Sequence, residues 1–313
     1  MINRIQTYIL IVFISIFSLI SSVNAELKVV ASIKPLHSLT SYLMDGVGKP
    51  DVIVDGYNSP HNFSLKPSHA KMLENADLVI WIGEDLETFL EKPLNTIAKK
   101  ATNIEVMDIE AIQKLEFREK NIFEGHDDHK GHDDHKKKDA HEDHGHGTHD
   151  PHVWLDPINA KVIIKEITNQ LIQLDSENSS IYKSNSKKAL ADIDELVKDI
   201  KKKLNKDLRF VVFHDAYQYF ENRFGIQVLG SLTVNTDVMP GAEQLSEIRE
   251  VIEHEKVNCL FSEPQFNPAI IKSIAKDTNV KIGILDPLGA ELDKGKNLYF
   301  DLLKNIAASF KGC

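Results

Sequence analysis

Long apolar runs are missing from this 313-residue chain once its first 25 residues are passed. No later segment offers the roughly 20 apolar residues that a membrane-crossing helix needs. Positive charge is in deficit too, with 37 Lys and Arg against 47 Asp and Glu and a formal net charge of −10. That balance argues against nucleic acid or an anionic membrane surface as partner. Cysteine is scarce, with only Cys259 and Cys313. No glycine-rich phosphate loop, G-x-S-x-G elbow or H-E-x-x-H helix is present, so the signatures of several enzyme classes are lacking.

The first residues read as a secretory leader. Arg4 supplies the positive start, Tyr8 to Ile20 the apolar run, and Val23-Asn24-Ala25 the small residues before a cleavage site. The expectation is export of residues 26–313 into the periplasm as a water-soluble monomer, not embedded in the membrane. An oxidising compartment makes a Cys259–Cys313 disulfide the default pairing. Two free thiols or a metal pair are the alternatives.

Residues 26–175 alternate strand-like and helix-like stretches. Leu27-Ser32, Asp51-Val54, Leu78-Ile82 and Ile104-Met107 read as strands. Helices are expected over Leu36 to Asp45, Ser68 to Asn75 opened by Pro67, and Leu86 to Lys100 with a break at Pro93. Residues 208–313 repeat the pattern, with strands at Arg209-Phe213, Gln227-Leu229, Val257-Phe261 and Lys281-Leu285. Helices are expected at Ala216 to Phe224, Ala242 to Glu255, Pro268 to Asp277 and Gly295 to Phe310. This alternation predicts an α/β fold of two lobes, each with a mostly parallel four-stranded sheet and flanking helices. Residues 176–207 lie between them. Ser176 to Leu204 holds helical apolar spacing with no Pro or Gly, which predicts a stiff connecting helix about 42 Å long. Two shorter helices broken near Ser184-Ser186 are the alternative.

Histidine is concentrated in residues 124–150. His126, His129, His132, His135, His141, His144, His146 and His149 all fall there, eight of the fourteen in the chain. The stretch has no apolar residue beyond Ala140 and cannot build a core, so a loop is expected. Imidazole-rich tracts bind borderline divalent metals such as zinc. Its role is therefore read as auxiliary metal capture.

Three further histidines stand at element ends. His61 follows the second strand, His152 precedes a helix marked by Pro157, and His214 ends the first strand of the second half. In open α/β sheets, ligands sit beyond the carboxyl ends of the strands. Three neutral imidazoles and one oxygen would make a tetrahedral site suited to zinc. Asp286, at the end of the last strand, is the candidate for the fourth position. Glu263 is either a partner to a ligand or the alternative fourth ligand. His37 is read as a helix-start residue, His69 and His254 as helix-surface residues, and Trp81 and Trp154 as core.

At SPHNFSLKPS, NADLVIWIG, DPHVWLDP, FHDAYQYFENRFG, FSEPQF and LDPLG the chain resembles the ZnuA-type zinc-binding proteins of ABC transporters. The resemblance covers nearly all of residues 26–313. It implies two lobes joined by a long rigid helix with Zn2+ between them, held by His61, His152 and His214. It also implies delivery to an ABC transporter permease subunit in the inner membrane, and no enzymatic activity. Manganese-binding relatives carry a carboxylate where His214 stands, which favours zinc. Some zinc members place Glu directly before the first ligand. Pro60 stands there in this chain, so the fourth position falls to Asp286 or water. The competing readings are a zinc metalloenzyme and a stand-alone zinc buffer or adhesin.

Overall fold

The structure, a computed structural model, describes residues 26–118, 121–122, 148–204, 208–233, 236 and 240–312. The leader 1–25, the histidines from His126 to His146, and Cys313 lie outside the described residues. The expected Cys259–Cys313 pairing therefore lies outside them too; Cys259 itself is buried.

The first sheet contains β1 (Val29–Ile33), β2 (Asp51–Val54), β3 (Leu78–Trp81) and β4 (Thr102–Glu105). Its order is β2-β1-β3-β4 and all pairings are parallel. β1 (VVASI) and β3 (LVIW) are buried along their whole length, as central strands covered on both faces must be. Helices α1 (Lys34–Leu43), α2 (Pro67–Glu74) and α3 (Thr88–Thr96) belong to this lobe. Next come α4 (Pro157–Leu174) and α5 (Ser179–Lys203). The second sheet contains β5 (Phe210–His214), β6 (Val228–Thr233), β7 (Cys259–Ser262) and β8 (Lys281–Ile284), in the order β6-β5-β7-β8. Its helices are α6 (Gln218–Phe224), α7 (Ala242–His254), α8 (Ala269–Thr278) and α9 (Leu298–Gly312). Among the described residues, the two sheets are therefore the same topology drawn twice.

The connecting helix is continuous, as the uninterrupted apolar spacing predicts. α5 runs for 25 residues without a break at Ser184-Ser186, about 38 Å of rod. It packs against α4, α1 and α9, and so touches elements from both sides of the connection. Its start is displaced to Ser179. Asp175 draws Asn178 and Tyr182 to one carboxylate oxygen, each at 2.7 Å, and Ser176–Asn178 is left as a single 3-10 turn.

Two other helices differ from expectation for local reasons. The helix expected over Leu86 to Lys100 spans only Thr88–Thr96. Glu87 is buried and accepts from the Ile82 and Gly83 amides at 2.7 and 3.3 Å, which holds the preceding turn out of the helix. The last helix starts at Leu298 rather than Gly295, because Gly295 has φ 137, which no α-helical residue adopts.

Apolar residues of both sheets join one core that runs from Val29 to Phe310. A second, smaller core lies between the far face of the second sheet and α7 and α8, around Val211, Leu260, Ile248 and Ile271. Polar groups also lock the lobes together. The buried Lys34 ammonium donates to the carbonyls of Gly289, Ala290 and Leu292 at 2.6, 3.1 and 2.7 Å. Trp154 donates its indole N–H to Pro287 O at 2.8 Å, and Tyr299 donates to Trp154 O at 2.8 Å. Residues 115–118 and 121–122 form a strap, the latter pair lying at the edge of β6. There Ser231 N donates to Asn121 O at 2.8 Å, and Ile122 forms an antiparallel bridge with Gly230. A Cβ at Gly230 would come within 2.7 Å of Asn121 O, so only glycine lets this strap lie so close. Among the described residues, no helix is long and apolar enough to cross a membrane.

Candidate metal centre

Three elements deliver three imidazoles to one point. His61 stands in the loop after β2, and its amide donates to Ser59 Oγ at 3.3 Å. His152 leads into the 3-10 turn Val153–Leu155, which Asp156 follows as the N-cap of α4 by accepting from Ile158 N. His214 is the final residue of β5, at the carboxyl edge of the second sheet. Their ligand atoms lie within 4.8 Å of one another. The Nε2 atoms of His61 and His152 are 3.4 Å apart, and those of His152 and His214 are 3.2 Å apart. His61 is partly buried; His152 and His214 are buried.

The other ring nitrogens show how the rings are held. His152 Nδ1 lies 2.7 Å from Asp150 Oδ1, which also accepts the His152 amide at 2.9 Å. His214 Nδ1 lies 2.9 and 3.0 Å from the two oxygens of Glu263. A carboxylate accepts, so each Nδ1 carries the proton and each neutral ring turns a lone pair inward from Nε2. Two inward lone pairs repel unless a proton or a cation stands between them. Carboxylate-backed histidine is also the arrangement that orients imidazole toward a metal. Tetrahedral nitrogen ligands about 2.0–2.1 Å from zinc lie about 3.3–3.4 Å apart. The observed separations of 3.4 and 3.2 Å fit that spacing.

Electrostatics around the rings favour a cation. Burial, then the neighbouring imidazoles, hold His61 well below the usual histidine range. Burial, then His214, does the same to His152. Burial alone would lower His214 as well, but the Glu263 carboxylate outweighs it and raises that ring. Asp150 is pushed up to about 7 by burial. Behind the rings, Arg118 reaches in from the strap and donates to Asp215 at 2.9 Å and to Glu221 at 2.8 Å. Burial pushes these two acids up to about 6 and about 7, with Arg118 offsetting part of the rise. Asp150, Asp215, Glu221 and Glu263 are thus four buried carboxylates grouped around one guanidinium and the histidines.

Asp286 is not drawn into the cluster. Its Oδ1 accepts from Gln265 Nε2, Leu288 N and Gly289 N at 2.8, 3.0 and 2.9 Å, and its Oδ2 from Ala290 N at 2.5 Å. Those bonds build the turn after β8 and leave the carboxylate committed. Glu263 likewise faces His214 and accepts from Tyr217 at 3.1 Å, the position of a partner to a ligand. His149, the one described histidine of the histidine-rich stretch, pairs with Glu116 in an isolated bridge and stands outside the cluster. His37 is buried in α1 with Nε2 on Pro50 O at 3.1 Å. His69 accepts from Lys66 N at the start of α2. Asp150, Asp215 and Arg118 are not singled out by the sequence pattern. The first is two residues before His152 and the second directly after His214, so adjacency to the ligand candidates was the available signal. Arg118 and Glu221 have no such local signal.

Fold and site together define a two-lobed α/β protein with a three-imidazole cluster, backed by carboxylates, where the lobes meet. Residues 29–313 match the family described as zinc-uptake complex component A, periplasmic. A high-affinity zinc uptake system protein ZnuA of Brucella abortus (strain 2308) is 42% identical over 303 residues, covering 91% of each chain. The protein of the same description from Yersinia pestis is 36% identical over 299 residues, covering 92% of each. Among solved structures, a crystal structure of ZnuA superposes with a TM-score of 0.73 at 22% identity, covering 91% of this chain and 100% of that one. The chain belongs to the periplasmic zinc-uptake component A family.

Proposed function

We propose that this protein captures Zn2+ in the periplasm between its two lobes and hands it to the permease of an ABC importer. The observation that carries the reading is the convergence of three Nε2 atoms at 3.2 and 3.4 Å with two of the rings backed by carboxylates. Three neutral imidazoles suit zinc better than harder ions, which prefer carboxylate and water. His61, His152 and His214 are the ligands in this proposal. Water takes the fourth position, because Asp286 is spent on its own turn and Glu263 on His214 and Tyr217. The buried carboxylates offset the ion's charge, which supports holding a dication away from bulk water. The permease as partner and the periplasmic location rest on the family and its curated zinc-uptake members. The histidines from His126 to His149 are proposed as an auxiliary, weaker zinc reservoir beside the cleft. Native mass spectrometry of the whole secreted protein tests the reading. One zinc should persist through mild chelation and leave under strong chelation. A protein that holds no zinc after growth in zinc, or holds manganese in its place, contradicts it.

A further inference from the structure

Away from the histidines, the first lobe carries a hollow of about 820 Å³ between α3, β4 and α4. Six carboxylates line it: Glu84, Glu91, Glu105, Asp108, Glu110 and Glu166. None of the six forms an ion pair among the described residues, and only Glu166 has a side-chain donor, Gln170 at 2.9 Å.

Two independent features accompany the acids. Trp81 lines the hollow at 5% exposure, and its indole N–H has no hydrogen-bond partner. Among the described residues β4 is also the edge of its sheet, paired only with β3, and Asn103, Ile104 and Glu105 of that strand form part of the wall. An open strand edge offers backbone donors and acceptors to an added extended chain.

We infer that this hollow docks an extended, lysine- or arginine-bearing segment of a partner polypeptide. The segment's backbone would use the edge of β4, and its cations would neutralise the six acids. Charge complementarity selects this occupant. A free divalent ion is disfavoured, because the carboxylates do not converge within ligand distance as the three histidines do. Acids that merely guard a strand edge against aggregation have no need of depth. Glu105 is sunk far enough that burial, then Asp108, pushes it up to about 7. The inference does not depend on the zinc reading.

The chain has two tryptophans, so its indole N–H groups give two resolvable resonances. Trp154 is bonded to Pro287 O and serves as the internal reference. Oligolysine titrated into the full-length protein at low salt should shift the Trp81 indole resonance and leave that of Trp154 in place. Combined Glu84→Gln, Glu105→Gln and Asp108→Asn should weaken binding about tenfold or more, because three charge contacts are lost. Combined Glu243→Gln, Glu247→Gln and Glu250→Gln on the exposed face of α7 should change it less than about twofold. Zinc binding stays at the wild-type level in both variants, so failure here is distinguishable from failure of the zinc proposal. A stationary Trp81 resonance, or equal weakening in the two variants, overturns the inference and reduces the effect to general attraction by an acidic surface.

Discussion

His214 faces two partners at once: its Nδ1 lies 2.9 Å from Glu263, and its Nε2 lies 3.2 Å from the Nε2 of His152. In the metal-free protein, a proton on His214 Nε2 can bridge to the His152 lone pair. A metal ion would displace that proton and take both lone pairs.

Zinc binding should therefore be proton-coupled. His214 is raised above the ordinary imidazole value of about 6.5, so it holds a proton at higher pH than a free histidine. As pH falls, competition begins at His214. His61 and His152, held low by burial, join only in stronger acid. Apparent zinc affinity should fall as pH drops from about 7.5 to about 5.5, with proton release measurable by calorimetry in buffers of different ionisation enthalpy. A flat affinity over that window would point to ligands other than imidazole.

Glu263→Gln tests the backing carboxylate. The amide still reaches His214 but no longer carries charge. Zinc affinity should drop about 10- to 100-fold, the usual effect of removing such a partner. The onset of proton competition should move to lower pH. Wild-type affinity in this variant would remove Glu263 from the account.

Glu87 predicts a pH dependence of stability unrelated to metal. Burial raises it from 4.5 to about 7, so between those values the folded chain binds the proton more readily than the unfolded chain. Stability should be highest below about 4.5 for this group and fall as pH rises through about 7, by an amount on the order of 3 kcal/mol. Denaturant titrations of the metal-free protein at pH 5 and pH 8 should show that slope, and Glu87→Gln should flatten it.

Deleting residues 124–147 keeps both bridges at the ends of that stretch, Ile122 with Gly230 and Glu116 with His149. The shortened protein should bind one zinc with wild-type affinity and lose the weaker ions. Loss of the tight event in calorimetric titration would move the primary site into the histidine-rich stretch.

The sheets were readable because each strand is a short apolar run that ends in turn residues, and both halves repeat the pattern. Leu78–Trp81 is buried on both faces and looks so in sequence. Boundaries moved where a side chain reorganised a turn, as Glu87 and Asp175 do, or where a glycine took positive φ, as Gly295 does. The three histidines were legible as residues at element ends, but the set behind them was only partly so. Arg118 lies 97 residues from Asp215 and 103 from Glu221, and no local spacing announces that meeting. The part played by Asp286 was not legible for a related reason: a carboxylate followed by Pro287, Leu288 and Gly289 is as well suited to building its own turn as to reaching an ion.

Competition of the protein against a chelator of known zinc affinity tests the central claim most directly, applied to the wild type and to His61→Ala, His152→Ala and His214→Ala. Each variant removes one of the three proposed protein ligands, so tight zinc binding should weaken by about 100-fold or more in every one. Wild-type affinity in any two of them would contradict the three-histidine site.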